Sequence, residues 1–321
     1  MTQSTKQRVL DQLLANEDKW LSGDTLATTL GVTRETVWKA INSLRKTGHE
    51  IESRKGQGYR HTGRAPLDVD AVRYYGQLTI PLVVSQSVTS TQSLAKEYLS
   101  AHHQPAYAAF VANEQTQGYG RRGRDFYSPA DSGLYLSLIL PNTHVDLSKV
   151  GLLTTGVADA VANVLEHFFP EDRFMLKWVN DVWLNGRKVA GIITEAALEL
   201  ESASSSAFIV GVGLNLSTAD FPAAINTKAG AITSATIDRN ELAAALINAI
   251  IACHQTYTTG DFLADYRQRS ALMGRQVTLN LGKTAVSGQV SGISDDGGII
   301  ITTADGTTHT YTSGEVVKVQ Y

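Results

Sequence analysis

Hydrophobic positions near the start of the chain recur at helical spacing. Val9, Leu10, Leu13 and Leu14 form one amphipathic stripe, and Leu26, Ala27 and Leu30 form a second over residues 24–30. Val37, Ala40, Ile41 and Leu44 follow at i, i+3, i+4 and i+7. Gly31 is placed to end the second helix and Thr33 to cap the third. The polar face of the third helix carries Arg34, Glu35, Thr36, Lys39, Asn42 and Ser43, side chains able to reach phosphates and base edges from a major groove. Residues 50–54 read as a strand. Lys55-Gly56-Gln57-Gly58-Tyr59-Arg60 then reads as a hairpin tip returning as a second strand. Two short helices about a glycine turn, followed by a basic wing, predict a winged helix-turn-helix over 1–64, with 61–64 as linker. A three-helix protein-binding module with a solvated charged face is the alternative.

From residue 82 the pattern changes to short apolar strands mixed with longer helices. Strands are expected over 82–85, 108–112, 134–140, 174–178, 182–184, 189–194 and 208–212. Leu134, Leu136, Leu138 and Leu140 alternate with Tyr135, Ser137 and Ile139, the period of a half-buried strand. Asn185-Gly186 is a hairpin signal, because a type I′ turn needs positive φ at both central residues. Leu153, Val157, Ala160, Val161, Val164 and Phe168 make a long amphipathic helix, and the serine run at 202–206 reads as a loop tip. Hairpins interspersed with helices favour an α+β fold with a mixed sheet in a central domain over 65–272. That domain ends in helices over 240–273, with Leu242, Ala245, Leu246, Ala249 and Ile250 on one stripe. After Gly274, strands over 276–281, 285–293, 298–303 and 308–312 alternate with turns at Asp295-Asp296-Gly297-Gly298 and Asp305-Gly306. They predict a small SH3-like β-barrel over 273–321.

Charge changes this picture. The net charge of −3 argues against a nucleic-acid binder, but residues 1–64 hold 11 Lys/Arg against 7 Asp/Glu, a net of +4. The remainder carries −7. A local positive field is what phosphate binding requires. No apolar run reaches the ~20 residues needed to cross a bilayer. The N-terminus has no apolar signal-peptide core, and the single Cys253 excludes an intrachain disulfide and a multi-cysteine zinc site. A cytoplasmic protein is expected, with Cys253 packed in a helix face.

Three segments could carry chemistry. Gly118-Tyr119-Gly120-Arg121-Arg122-Gly123 satisfies the dinucleotide string G-x-G-x-x-G, but Arg124-Asp125-Phe126-Tyr127-Ser128-Pro129 cannot open the helix that such a fingerprint requires. What remains is a flexible loop with close-approach glycines and up to three arginines, suited to wrapping an anion. Lys177-Trp178-Val179-Asn180-Asp181 ends a strand with a lysine set among apolar residues, placed to neutralise a phosphate or carboxylate. Val210-Gly211-Val212-Gly213-Leu214-Asn215 is a strand whose glycines admit a close neighbour. Each alone is as well explained as ordinary structure. The combination is not. Gly282-Lys283-Thr284 mimics the end of a P-loop, but Val277 stands where the first glycine belongs.

Together these segments resemble the biotin–protein ligase family, specifically its bifunctional bacterial members that also repress transcription. The resemblance spans nearly the whole chain. The family's G-R-G-R-R-G loop matches Gly118 to Gly123, its K-W-P-N-D motif Lys177 to Asp181, and its K-x-A-G-I-x-x-E strand Lys188 to Glu195. Its G-x-G-x-N motif matches Gly211 to Asn215, and its S-T-N segment Ser90-Thr91-Gln92. Three positions depart: Tyr119 replaces an arginine, Val179 a proline and Gln92 an asparagine.

The resemblance implies that biotin and ATP form biotinyl-5′-AMP and pyrophosphate, and that a lysine of an acceptor protein of the carboxyl-carrier type then displaces AMP. It implies Lys177 and Arg121 as the charged groups at the reacting phosphate. It further implies Ser90, Thr91, Gln92, Gln115, Gly118, Tyr119, Gly120, Arg122, Gly191 and Asn215 as biotin and adenylate contacts, with Asn215 also near Mg2+. No enzyme nucleophile is needed, in keeping with the lack of a Ser/His or Cys/His constellation. Operator DNA is expected at Thr33, Arg34, Glu35, Thr36, Lys39, Asn42, Lys55 and Gln57. An adenylate-dependent homodimer is expected to pair through residues 188–194 and the loop at 118–124. A ligand-sensing repressor that has lost catalysis, or a lipoate-attaching ligase, are the rival readings.

Overall fold

The computed structural model describes residues 3–63, 65–102, 105–142, 149–199, 204–235 and 237–320. The chain divides into two units, Met1–Val84 with Thr236–Ala245, and Ser85–Ala235 with Leu246–Tyr321.

The first unit opens with the three expected helices, α1 (Thr5–Leu14), α2 (Gly23–Leu30) and α3 (Arg34–Lys46). Ser22 caps α2 by accepting from Thr25 N at 2.9 Å, Gly31 closes it at φ 64°, and Thr33 caps α3 by accepting from Thr36 N at 3.2 Å. Val9, Leu10, Leu13, Leu26, Val37, Ile41 and Leu44 are buried together as their common core. At ~25 cal/mol per Å2 of apolar surface, such burial outweighs the modest intrinsic propensity of helices this short. Strands β1 (Ile51–Arg54) and β2 (Gly58–His61) pair with Arg54 opposite Gly58, so Lys55, Gly56 and Gln57 form the exposed tip. Leu21 and Tyr59 exchange both backbone bonds at 2.8 Å, which adds a third chain to the wing. The pattern gave no sign of α4 (Val69–Gly76), capped by Asp68 and adding Ala71 to the same core. Of the expected linker, Arg64 lies outside the described residues.

Strand β3 (Leu82–Ser85) crosses the boundary in sequence. The second unit contains α5 (Thr91–Ala101), β4 (Ala108–Ala112), β5 (Gly133–Pro141) and α6 (Val150–Phe168). After them come β6 (Met175–Lys177), β7 (Asp181–Leu184), β8 (Arg187–Glu199) and β9 (Ser204–Asn215). Strand order is β4-β5-β9-β8-β7-β6. These five pairings are all antiparallel. Asn185 and Gly186 turn β7 into β8 at φ 51° and 77°, the positive pair a type I′ hairpin needs.

Two expectations change here. Strand β5 is buried on both faces from Gly133 to Leu140, not half-buried. The cause is α5, missed from the pattern: its Leu94, Ala95, Tyr98 and Leu99 pack over Phe110, Ile139 and Ile209. The serine run begins β9 at Ser204; residues 202–203 of the expected loop tip lie outside the described residues.

The helices expected over 240–273 are α7 (Arg239–Thr256) and α8 (Leu263–Gln268), the second ending five residues earlier. Cys253 sits in α7 beside Gly156, and burial pushes its thiol up to about 12, the behaviour of a packing residue. The C-terminal strands β10 (Gln276–Asn280), β11 (Ala285–Ile293), β12 (Ile299–Thr302), β13 (Thr308–Tyr311) and β14 (Glu315–Gln320) form one antiparallel sheet in the order β13-β12-β11-β10-β14. Among the described residues β13 and β14 are its two edges, so the ladder does not close into the expected barrel. Among the described residues no helix is long and apolar enough to cross a membrane.

Candidate functional site

The second unit holds a cavity of about 200 Å3 between the α5 N-terminus, the loop at 118–126, the β6–β7 turn and the start of β14. Ser90 caps α5 by accepting from Gln92 N, which places Ser90, Thr91 and Gln92 in the wall with each side chain almost wholly buried. Their polar atoms are connected. Thr91 N and Oγ1 both donate to Gln115 Oε1, at 2.9 and 3.1 Å, and Gln115 Nε2 donates to Ser128 Oγ at 3.0 Å. Ser137, a buried polar residue of β5, lies 2.9 Å from Thr91 Oγ1 and donates to Gln92 Oε1 at 2.9 Å. In a wall this dry, unmade hydrogen bonds would cost ~1–3 kcal/mol apiece, so the network specifies one arrangement.

The glycine loop folds back on itself. Gly118 accepts from Phe126 N at 2.8 Å, Gly120 donates to Arg124 O at 2.8 Å, and the backbone is extended again at Arg124. A side chain at Gly118 would meet Ser128 Oγ at 2.5 Å and Phe126 O at 2.7 Å, so glycine is required by space. Arg121 reaches Asn180 Oδ1 and Gly314 O, both at 3.3 Å. Arg122 and Arg124 both pair with Glu315, with Arg124 Nη2 at 2.6 Å. The loop thus brings three guanidinium groups to one side of the cavity, two of them held by a single carboxylate.

Lys177 enters the cavity at the end of β6, its Nζ 5.0 Å from the centre of the Trp183 ring. Burial holds its ammonium below the usual lysine range; Asp181 opposes this while Lys188 and Lys228 reinforce it. The following turn is pinned to β8, since Asn180 Nδ2 donates to Ile192 O at 2.6 Å and Ile192 N returns a bond to Asn180 O at 2.9 Å. Lys188 pairs with Asp181 at 2.6 Å. A cationic group that is half desolvated and surrounded by further cations attracts an anion far more strongly than the same group in water.

The glycines of the third motif also have a steric role. A side chain at Gly211 would meet Gln92 Oε1 at 2.7 Å, and one at Gly213 the Phe126 ring at 2.5 Å. Most expected residues line the cavity: Ser90, Thr91, Gln92, Gln115, Tyr119, Gly120, Arg121, Arg122, Lys177 and Gly191. Gly118 and Asn215 do not. Asn215 ends β9 buried, with its Oδ1 lacking a hydrogen-bond partner. Asp181 and Lys188, quoted within motifs but given no contact, also line it, as do Phe126 and Glu315. Glu315 had no signal, because β14 itself went unread.

In the first unit, the candidate nucleic-acid contacts lie on α3 and the wing tip. Arg34, Glu35, Lys39, Lys55 and Gln57 are exposed, and Thr36 and Asn42 are half-buried. Thr33 is exposed, but its hydroxyl is engaged by Thr36. Arg34 pairs with Asp24 at 3.1 Å and Lys39 with Glu35 at 2.7 Å, both fully solvated pairs.

Residues 5–60 match an HTH domain, residues 84–215 match the biotin/lipoate A/B protein ligase family, and residues 272–319 match a biotin protein ligase C-terminal domain. The bifunctional ligase/repressor BirA of Escherichia coli is 29% identical over 98% of this chain and 98% of its own. The biotin–[acetyl-CoA-carboxylase] ligase of Paracoccus denitrificans is 31% identical over 60% of this chain and 82% of its own. Among solved structures, the biotin protein ligase of Aquifex aeolicus in complex with biotin and ATP is 30% identical, covers 73% of this chain and 97% of its own, and superposes with a TM-score of 0.62.

Proposed function

The chain belongs to the biotin/lipoate A/B protein ligase family, and from that premise we propose that it activates biotin with ATP, transfers it to a protein lysine, and represses transcription in response to the adenylate. The biotin carboxylate attacks the α-phosphorus of ATP, forming the mixed anhydride biotinyl-5′-AMP as pyrophosphate leaves. The ε-amine of the acceptor lysine then attacks the acyl carbon, the amide forms, AMP departs with the bonding pair, and the amine proton passes to solvent.

The observation that carries this reading is that Lys177 and Arg121 line one cavity, beside the polar wall of Ser90, Thr91 and Gln92. Lys177 offsets charge as two anions, carboxylate and phosphate, approach each other. Arg121 exchanges two neutral acceptors for the adenylate phosphate. Arg122, Gly120 and Tyr119 enclose the intermediate, Gly191 admits it closely, and Gln115 with Ser90, Thr91 and Gln92 reads the biotin head. Positioning and charge stabilisation supply the rate enhancement, with one such contact worth roughly 2–4 kcal/mol at the transition state.

Magnesium enters with ATP as part of the substrate, held chiefly by phosphate oxygens. Among the described residues no group of three or more His, Cys, Asp or Glu could hold a metal alone, and the unpartnered amide oxygen of Asn215 is the chain's candidate ligand. The C-terminal sheet supplies Glu315 and meets the acceptor.

For repression, Arg34, Thr36, Lys39 and Asn42 of α3 enter the major groove, while Lys55 and Gln57 of the wing reach phosphates. Dimerisation by sheet extension uses β8. Its β7 side is taken over Arg187–Gly191 and by Asn180 at Ile192, and its other side by β9 from Ala190 onward, so the available edge starts at Ile193, further along than 188–194 implied. Ordering of the loop by adenylate before dimer contact couples ligand to operator.

Incubation with labelled biotin, MgATP and a carboxyl-carrier domain tests the reading. Label on the acceptor lysine supports it; formation of neither adenylate nor product leaves a ligand-sensing repressor, and preferential use of lipoate leaves the lipoate-type ligase.

A further inference from the structure

Behind the cavity wall, Glu195 and Lys96 meet the lining residues Gln92 and Tyr119 in one hydrogen-bonded cluster. Glu195 of β8 accepts from Lys96 Nζ at 2.8 Å on one oxygen. On the other it accepts from Gln92 Nε2 at 2.7 Å and from Tyr119 OH at 3.3 Å. Lys96 also donates to Tyr119 OH at 3.0 Å and lies 5.4 Å from the centre of its ring. Tyr119 and Gln92 are two of the three positions where the chain departs from the ligase pattern, and both are satisfied by this one carboxylate.

The orientation of the Gln92 amide follows from it. Its nitrogen faces two acceptors, Glu195 and Ile209 O at 3.0 Å, and its oxygen faces the Ser137 hydroxyl. A flipped amide would set oxygen against a carboxylate and a carbonyl, losing two bonds and adding repulsion. Ser137 has one proton and gives it to Gln92, so it can only accept from Thr91, whose one hydroxyl proton is shared between Ser137 and Gln115 Oε1. The charge on Glu195 therefore fixes which atoms of the Gln92, Ser137 and Thr91 wall donate and which accept. A ureido ring presents one carbonyl and two N–H groups on fixed edges, and a wall that reads it needs a donor sense that does not drift.

We propose that Glu195, held by Lys96, is a positioning residue for the biotin head: it orients the Gln92 amide and, through Tyr119, anchors the first turn of the glycine loop to the same point. This rests on the function proposed above. Glu195 lies outside the cavity wall and touches no reacting atom, so its loss weakens recognition of the ureido ring without slowing chemistry once biotin is bound.

The test is adenylate formation by the full-length protein at saturating MgATP, with biotin varied, alongside calorimetric binding of biotin alone. Glu195→Gln keeps the shape and removes the charge. The expected result is a KM and Kd for biotin raised about tenfold or more with kcat within about threefold. Lys96→Met, at an exposed position, is expected to raise KM about threefold and guards against a folding defect in the first variant. Tyr119→Phe is expected to add nothing further in the Glu195→Gln background. A biotin KM within twofold of wild type in both single variants, or a fall in kcat that matches the change in KM, overturns the inference while leaving the ligase reading intact. Wild-type protein that makes no adenylate overturns both.

Discussion

Arg121 donates to the side-chain oxygen of Asn180 across 3.3 Å, which docks the glycine loop on the turn that follows Lys177. Its second nitrogen meets only the carbonyl of Gly314. Burial holds this guanidinium below its ordinary range, with Arg122 and Arg124 acting in the same sense and Asp181 and Glu315 against it. A partly desolvated cation satisfied by neutral oxygens gains by exchanging them for a phosphate, since charge-assisted hydrogen bonds are roughly twice as strong as neutral ones.

The buried Lys177 sets a pH limit on adenylation. Its charged form is the working form, and its pKa lies below that of an ordinary lysine. As pH rises through that lowered value the free protein loses the cation, so kcat/KM falls on the alkaline side earlier than an exposed lysine would dictate. Lys177→Arg, slower through misfit but charged throughout, is expected to lose this limb. A wild-type rate that stays flat to the pKa of free lysine contradicts the role.

Glu315 clasps Arg122 and Arg124 at the far side of the loop. Both arginines are largely exposed, so the pairs contribute no more than about 1 kcal/mol each to stability. Glu315→Ala is therefore expected to leave the melting temperature nearly unchanged while speeding tryptic cleavage after Arg121, Arg122 and Arg124. Biotin with MgATP is expected to restore protection. Equal cleavage rates in wild type and variant contradict the clasp.

The partners of Arg34 and Lys39 are solvated carboxylates, Asp24 of α2 and Glu35 of α3, and such exposed pairs contribute no more than ~1 kcal/mol each. Phosphate therefore displaces them readily. Lys39→Ala and Lys55→Ala are each expected to weaken operator binding across sequences and lower the salt slope by about 0.9 per lost contact. Biotin plus ATP is expected to tighten the wild-type mobility shift. A shift insensitive to both ligands rejects the coupling.

Asp159 of α6 is nearly fully buried against Arg269 and Asn163, yet desolvation lifts its carboxyl to about 6. A raised carboxylate pKa means the folded state holds its proton longer than the unfolded chain. The stabilisation is complete below the unfolded value near 4 and is lost as pH rises to about 6. Melting of wild type relative to Asp159→Asn should decline across that window; a parallel course removes the linkage.

The winged helix was legible because burial at Val37, Ala40, Ile41 and Leu44 repeats the helical period without interruption. The Asn185-Gly186 hairpin was legible because local φ requirements admit few other residues. Helix α5 was not legible, although Leu94, Ala95, Tyr98 and Leu99 carry a helical period behind the Ser90 cap, because its first turn also holds the polar Thr91 and Gln92, buried where an amphipathic pattern expects apolar residues. That omission also produced the half-buried reading of β5, since α5 covers the face assigned to solvent. The motif residues of the cavity were found because they form short strings. Glu315 and Lys96 were not, because single charges far apart in sequence meet only through the fold, and no local pattern marks them.

Single-turnover formation of biotinyl-5′-AMP, followed by pyrophosphate release in wild type, Lys177→Met and Arg121→Ala, bears most directly on the convergence of the two cations. The expected result is a loss of about 10²- to 10³-fold in the adenylation rate for Lys177→Met with an unchanged melting temperature, and faster escape of the adenylate from Arg121→Ala. Near-normal pyrophosphate release by folded Lys177→Met would contradict the placement of its ammonium at the reacting phosphate.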